Sequence, residues 1–419
     1  MKISNLRKEN RGEEIHLVAD VENTRYETEG SKENTIWVSV PREFEEYLTD
    51  DCYDGFLVAL LYPAMTYGED IEIDGAVSKR LMRNINKFIQ EILATYNHKL
   101  KRITITVKEV TGAPLTSTTH IGTGFSGGVD SFSTIYDNYV LEQDPEYKID
   151  TLVCLNVGSH GMFGDERTGK LFSSRCAFLK RYAAIVNLPF IAVNSNIHYY
   201  HKLGHFHTAV LTQISGFLTI QKMIKKFYIA SVGWNYDQWI KEAANQRNRN
   251  IEEFAEPYLL PLFSTETTEF ILDGIQYTRV QKTLAISNYP LTRQFLNVCL
   301  RNEPNDKNCG ECLKCARVGL TLSTVDRLDE YKDVFDISAY KKSEYMLMCM
   351  AVDQYKSNPF MSDIVNLGGE HGKKYPSSGV VFIRITLMRL LKKIVKGLAR
   401  LFRMESMLRR FMRWWRVQH

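Results

Sequence analysis

The 419-residue chain has no stretch long and apolar enough to cross a bilayer, roughly 18 residues, so no membrane-spanning helix is expected. Its opening, MKISNLRKENRGEE, lacks the apolar core of a secretory signal, which points to the cytoplasm. The Walker phosphate loop GxxxxGK[ST] is absent, and no internal repeat is found. Cysteine is sparse at eight residues. Four are scattered, at Cys52, Cys154, Cys176 and Cys349; Cys154 and Cys176 lie in apolar or helix-like contexts and read as ordinary core thiols. Net charge is only +4, but it is unevenly placed. From residue 380 onward there are eleven Lys/Arg and one acid, Glu405, so a mildly acidic body carries a strongly basic tail.

What is present is ample apolar material, 44% of residues, in a chain long enough for two or three domains. Residues 1–112 read as an α+β domain, with strands at Ile15–Ala19, Thr35–Val40 and Ile103–Val107. The Thr-, Pro- and Gly-rich run Thr111–Thr119 marks a boundary. Strand-like and helix-like segments then alternate. His120–Phe125, Thr151–Val157, Phe190–Asn194 and Phe227–Val232 are the strands, and helices lie at Val129–Val140, Arg175–Val186 and Thr208–Lys225. The pattern predicts an α/β fold with a doubly wound parallel sheet over 113–335, with ligands at the carboxyl ends of its strands. A helical or irregular extension follows at 336–379.

Between the first of these strands and its helix lies GFSGGVDSFS. Gly127 and Gly128 allow the backbone to turn tightly against an anion, and the N–H groups they free favour a phosphate. Ser126 and Ser131 add hydroxyl donors, while Asp130 suits Mg²⁺ better than direct phosphate contact. Phe125 and Val129 flank these positions. Further on, Cys299, Cys309, Cys312 and Cys315 are spaced as four thiolate ligands, with Gly310 permitting the tight turn after Cys309. A closed four-sulfur site is structural and reads as Zn²⁺, with an iron–sulfur cluster as the alternative. The knuckle spans 299–315.

The segment Ser126–Ser131, SGGVDS, resembles the loop of the PP-loop ATP pyrophosphatases. Followed by C…CGxCxxC and Arg317, it is similar to the 7-cyano-7-deazaguanine synthase family, across roughly residues 120–325. Gly233, Asn235 and Asp237 in VGWNYDQW, and Pro261–Leu262, fall in the same order as that family's motifs. The substrate-side motifs depart: Gln238–Lys241 replaces a longer family run, and Val298 and Leu300 flank Cys299 where the family has Ser and Tyr. The family also lacks the N-terminal region and the tail. The resemblance implies an adenine nucleotide alpha-hydrolase-like sheet. It implies a ligase that splits ATP into AMP and pyrophosphate, activating a carboxylate or amide oxygen for attack by ammonia or an amine. Ser126, Asp130 and Ser131 would be catalytic, with Phe125, Gly127, Gly128, Val129, Asn156 and Gly233 also around the nucleotide. Extended relatives resemble proteins of bacterial antiviral-defence or surface-polysaccharide gene sets. A tRNA-modifying enzyme and a non-catalytic nucleotide-binding scaffold are the two alternatives.

Weaker candidates lie nearby. His198, His201, His205 and His207 crowd the polar loop HYYHKLGHFH, and His205 and His207 are expected to touch substrate. Asn156 and Asn194 close apolar strands. Asn235, Asp237, Arg279 and Lys282 could line the substrate or neutralise phosphate charge. In the tail, 380–419, Ile383, Leu387, Leu390, Leu391, Ile394, Leu398 and Leu401 share one helical face. Arg389, Lys393, Lys396, Arg400 and Arg403 share the opposite one. Such a basic amphipathic helix suits a protein partner or the anionic inner face of a membrane; the acidic body argues against broad nucleic-acid binding.

Overall fold

The computed structural model describes residues 1–22, 34–160, 167–201, 208–246, 255–299, 301, 306–387 and 390. They form two compact units: one of residues 1–126, 134–231 and 236–273, the other of 127–133, 232–235 and 274 onward.

Among the described residues, all ten strands belong to the first unit. β1 (Lys2–Arg11), β2 (Glu14–Glu22) and β3 (Thr35–Pro41) pair antiparallel, and β4 (Ile71–Ser78) and β5 (Ile105–Thr111) add in parallel beside β1. β6 (His120–Gly124), β7 (Thr151–Asn156), β8 (Phe190–Ser195), β9 (Ile224–Ala230) and β10 (Glu269–Asp273) are mutually parallel. The sheet order is β10-β9-β6-β7-β8-β3-β2-β1-β4-β5. The fold is therefore α/β with a large, mostly parallel sheet, consistent with a doubly wound arrangement. β7, TLVCLN, is buried along its whole length, as a strand covered on both faces must be.

The intervening helices are α1 (Asp54–Tyr67), α2 (Lys79–Asn84), α3 (Gln90–Tyr96), α4 (Val129–Ile135), α5 (Arg167–Val186), α6 (Ala209–Leu218), α7 (Tyr236–Gln246) and α8 (Glu256–Leu259). α1 reads FLVALLYPAM at its centre, apolar all round, and is buried all round.

Residues 1–112, expected to stand apart as their own α+β domain, instead extend the parallel sheet. β3 joins β8 antiparallel through Val38↔Ser195 and Ser39↔Asn194. The Asn196 side chain reinforces the seam, accepting from Trp37 N–H at 2.8 Å and donating to the Thr35 carbonyl at 2.8 Å. One continuous apolar cluster contains Leu17, Val38 and Leu57 together with Val153, Ile191 and Phe217. The physical reason is that β3 and β8 would otherwise each leave an open edge of unpaired backbone groups.

The second unit holds α9 (Arg279–Ile286), α10 (Thr292–Phe295), α11 (Leu313–Thr324), α12 (Ile337–Asp353) and α13 (Pro359–Glu370). α9 starts on a capping box: Thr278 Oγ1 accepts from Gln281 N–H while the Gln281 side chain accepts from Thr278 N–H. The segments 127–133 and 232–235, which follow β6 and β9 in the chain, belong to this helical unit. Chain order reverses between those two strands, the place where open α/β sheets bind ligands.

Candidate functional site

The four clustered cysteines converge. Their sulfurs all lie within 4.8 Å of one another, with Cys312–Cys315 at 3.4 Å and Cys309–Cys315 at 3.9 Å. Four thiolates about 2.3 Å from one tetrahedral ion stand about 3.8 Å apart, so the set fits a single metal ion such as zinc. Backbone groups prepare the site. Cys312 N–H donates to Cys309 Sγ at 3.3 Å, and Arg301 N–H donates to Cys299 Sγ at 3.3 Å. Gly310 has φ +73°, and a Cβ there would meet the Asp336 carbonyl and the Tyr340 amide. The buried Asn308 ties the Cys299 arm to the knuckle. Its Oδ1 accepts from Val298 and Cys299 N–H, at 2.7 and 2.9 Å, while its Nδ2 donates to the Leu296 and Val334 carbonyls.

Cys312 is the N-cap of α11, so the knuckle fixes the start of the helix that carries Arg317. Arg317 belongs to a charged cluster in the same unit. Asp130 accepts from Arg279 Nη2 at 2.8 Å and has Lys282 Nζ 3.5 Å away. Arg279 also donates to the Val232 carbonyl at 3.0 Å. Gly233 sits at φ +93°, which favours glycine, and a Cβ there would displace the Arg279 guanidinium. The Phe360 ring of α13 lies 4.2 Å from the Arg317 guanidinium and 5.6 Å from that of Arg279, with Trp234 6.1 Å away. Asn297 N–H donates to the Gly127 carbonyl at 2.8 Å, fixing the loop from a residue two before Cys299.

Two cations thus hold the Asp130 carboxylate, and a third, Arg317, lies within its field. Lys282 is fully buried, and Arg279 is only 18% exposed. Arg317 makes no ion pair among the described residues, and its Nε has no hydrogen-bond partner. Burial, then repulsion from Arg279, pushes the Arg317 guanidinium down to about 10, against the pull of Asp130. The surplus positive charge of this partly desolvated cluster suits an anion with several oxygens.

The expected site residues divide accordingly. Gly127, Gly128, Val129, Asp130, Ser131, Gly233, Asn235, Arg279, Lys282 and the four cysteines all fall in the helical unit. Val129 is buried, and Ser131 is buried with its hydroxyl donating to the Gly128 carbonyl at 3.2 Å. Arg279 and Lys282 are not on a solvated helix face. In the sheet unit, Ser126 is exposed and its carbonyl accepts from Arg175 Nη1 at 2.9 Å. Phe125 turns its ring into the core, 4.8 Å from Tyr182, and its N–H donates to the Val153 carbonyl. Asn156 donates to Asn194 Oδ1 at 2.8 Å, so the two strand-closing asparagines hold each other. Asp237 is exposed and paired with Lys241 one turn on, an ordinary helix-surface ion pair. His201 is buried, donating Nε2–H to the Ala59 carbonyl at 2.8 Å; burial pushes it down to about 4, so it is a neutral structural group. His205 and His207 lie outside the described residues.

Phe360, Trp234 and Asn297 were not legible as site residues. Each is far in sequence from Asp130 and is an ordinary residue in its own segment. Arg317 carried one signal, its place two residues past the last ligand cysteine. Among the described residues, no helix is long and apolar enough to cross a membrane. Neither a protein-family model, nor a curated protein, nor a solved structure matches this chain.

Proposed function

We propose that this chain is a PP-loop-type ATP pyrophosphatase ligase, similar to the 7-cyano-7-deazaguanine synthases. It would adenylate a carboxylate or amide oxygen of a small acid, release pyrophosphate, and then let ammonia or an amine displace AMP. The observation that carries the reading is the cluster of Arg279, Lys282 and Arg317 around the single carboxylate of Asp130, within the SGGVDS loop. A triphosphate is the kind of ligand that three partly desolvated cations favour, and charge developing on a leaving pyrophosphate is what they would stabilise. Asp130, the carboxylate of the cluster, would hold Mg²⁺, which supplies further charge neutralisation at phosphate oxygens. Arg279 and Lys282 would orient the phosphates, and Ser131 would add a hydroxyl. The cysteine site, read as zinc, would be structural, since four thiolates leave no position for substrate.

Pyrophosphate release, measured with ATP, a panel of heteroaromatic acids and ammonia, tests the reading. Asp130→Ala is expected to lower the rate by about 10²–10³-fold. A wild-type chain that binds ATP yet releases no pyrophosphate with any acid would favour a nucleotide-binding scaffold instead.

A further inference from the structure

The basic tail takes no part in the proposed chemistry, and its first helical stretch, 378–387, is described. One face of that stretch is anchored. Val381 and Ile385 are buried against Cys349 of α12, with Met346 and Val352 alongside, and the Arg384 guanidinium lies 5.0 Å from the Tyr345 ring. Other apolar side chains point away. Ile383 is 61% exposed, Leu387 55%, Leu390 53% and Val380 48%. Their spacing of three, four and three residues puts them on a single helical stripe, roughly opposite the anchoring pair. Phe382, 72% exposed, stands beside it. A docked helix needs one apolar face, and this one has a second with nothing among the described residues upon it.

The charge of the adjoining sequence indicates what covers the stripe. Residues 384–416 contain eleven Lys/Arg against Glu405 alone. Outside the described residues, the sequence continues the stripe's apolar spacing at Ile394, Leu398 and Leu401 and interleaves Arg389, Lys393, Lys396, Arg400 and Arg403. It closes on FMRWWRVQH. A second copy of the chain would bring one strongly positive tail against another. An aliphatic row continued by a strongly basic sequence that ends in a tryptophan pair matches the boundary between acidic headgroups and acyl chains.

We infer that Val380, Ile383, Leu387 and Leu390 seat this chain on an anionic bilayer surface. The stripe enters the acyl boundary, and the basic residues lie among the headgroups. The test is flotation of the full chain with phosphatidylcholine–phosphatidylserine vesicles and with pure phosphatidylcholine vesicles. The wild type is expected to float with the anionic vesicles about tenfold more than with the neutral ones, the charged share of binding. Ile383→Asp combined with Leu387→Asp is expected to cut anionic-vesicle binding by about tenfold or more. Both side chains are exposed, so an unchanged melting temperature verifies that the variant folds. No flotation, or flotation that survives the double substitution, would overturn the inference. So would a concentration-dependent dimer, seen by light scattering, that the same substitutions abolish. ATP binding is expected to be the same in both proteins, so this result stands apart from that of the pyrophosphate assay.

Discussion

In the sheet unit, Leu17, Val38, Phe56, Val153 and Phe217 belong to one apolar cluster that runs through strands from both ends of the sheet. In the helical unit, four thiols and four charged side chains are gathered instead, around Cys312 and Asp130. The first arrangement is distributed: many contacts each contribute a little, and the hydrophobic term does not depend on any one group. The second rests on a few groups whose interactions are strong only while every partner is present. The sheet unit should therefore tolerate conditions that dismantle the helical unit, which unites the candidate metal site with the cationic cluster.

The largest expected effect follows from this contrast. Chelation, or Cys315→Ser, should remove about one equivalent of zinc per chain and release the packing of α11 on α12 and α13. Hydrogen exchange over residues 313–370 should then accelerate strongly while β6–β9 stay protected. Elemental analysis with exchange mass spectrometry measures both, and equal acceleration in the two units would erase the distinction.

Next comes an acid titration aimed at the sheet unit. His201 has its folded pKa depressed to about 4 from 6.5 by burial, so the unfolded chain binds the extra proton between those values. The stability it confers is full above about pH 6.5 and is lost as pH falls toward 4, by roughly 3 kcal/mol. Urea unfolding of wild type and His201→Phe across that window isolates the term. The variant should show a shallower pH slope, and identical slopes would refute the assignment.

The smallest effect probes the cluster itself. Gly233→Ala forces a methyl against Arg279 and demands a positive φ from alanine, which should cost about 1–3 kcal/mol. It should also weaken nucleotide binding, because Arg279 is the residue displaced. A shifted melting temperature with unaltered ATP affinity would separate Arg279 from the ligand.

Much of the fold could be read from the chain. The apolar runs at Thr151–Val157 and Phe190–Asn194 became β7 and β8, and the alternation from His120 onward predicted the parallel sheet. β1, KISNLRKENR, escaped because its charged residues leave it no apolar alternation, though most of the strand is half-buried. β10 escaped because it is only five residues long, and β4 because Asp74 and Gly75 interrupt its apolar alternation, where its pairing with β5 shifts register. The helix expected over Thr208–Lys225 is shorter, as α6 ends at Leu218 and Ile224 already belongs to β9. A boundary at Thr111–Thr119 was a fair reading of local composition. Composition does not reveal that β3 would close the edge of β8.

The Cys309–Cys315 knuckle spacing and the SGGVDS turn were legible in the sequence alone. In each, the interacting groups lie within a few residues, so chain connectivity already brings them together. The partners of Asp130 were decided by tertiary structure. Arg279, Lys282, Arg317 and Phe360 come from helices 149–230 residues further along the chain, counted from Asp130. They meet because α9, α11 and α13 pack on one another, and the Phe360 ring lies against the Arg279 and Arg317 guanidinium groups. Nothing in the local sequence of those helices marks their charges as buried, since desolvation depends on what the rest of the chain lays over them.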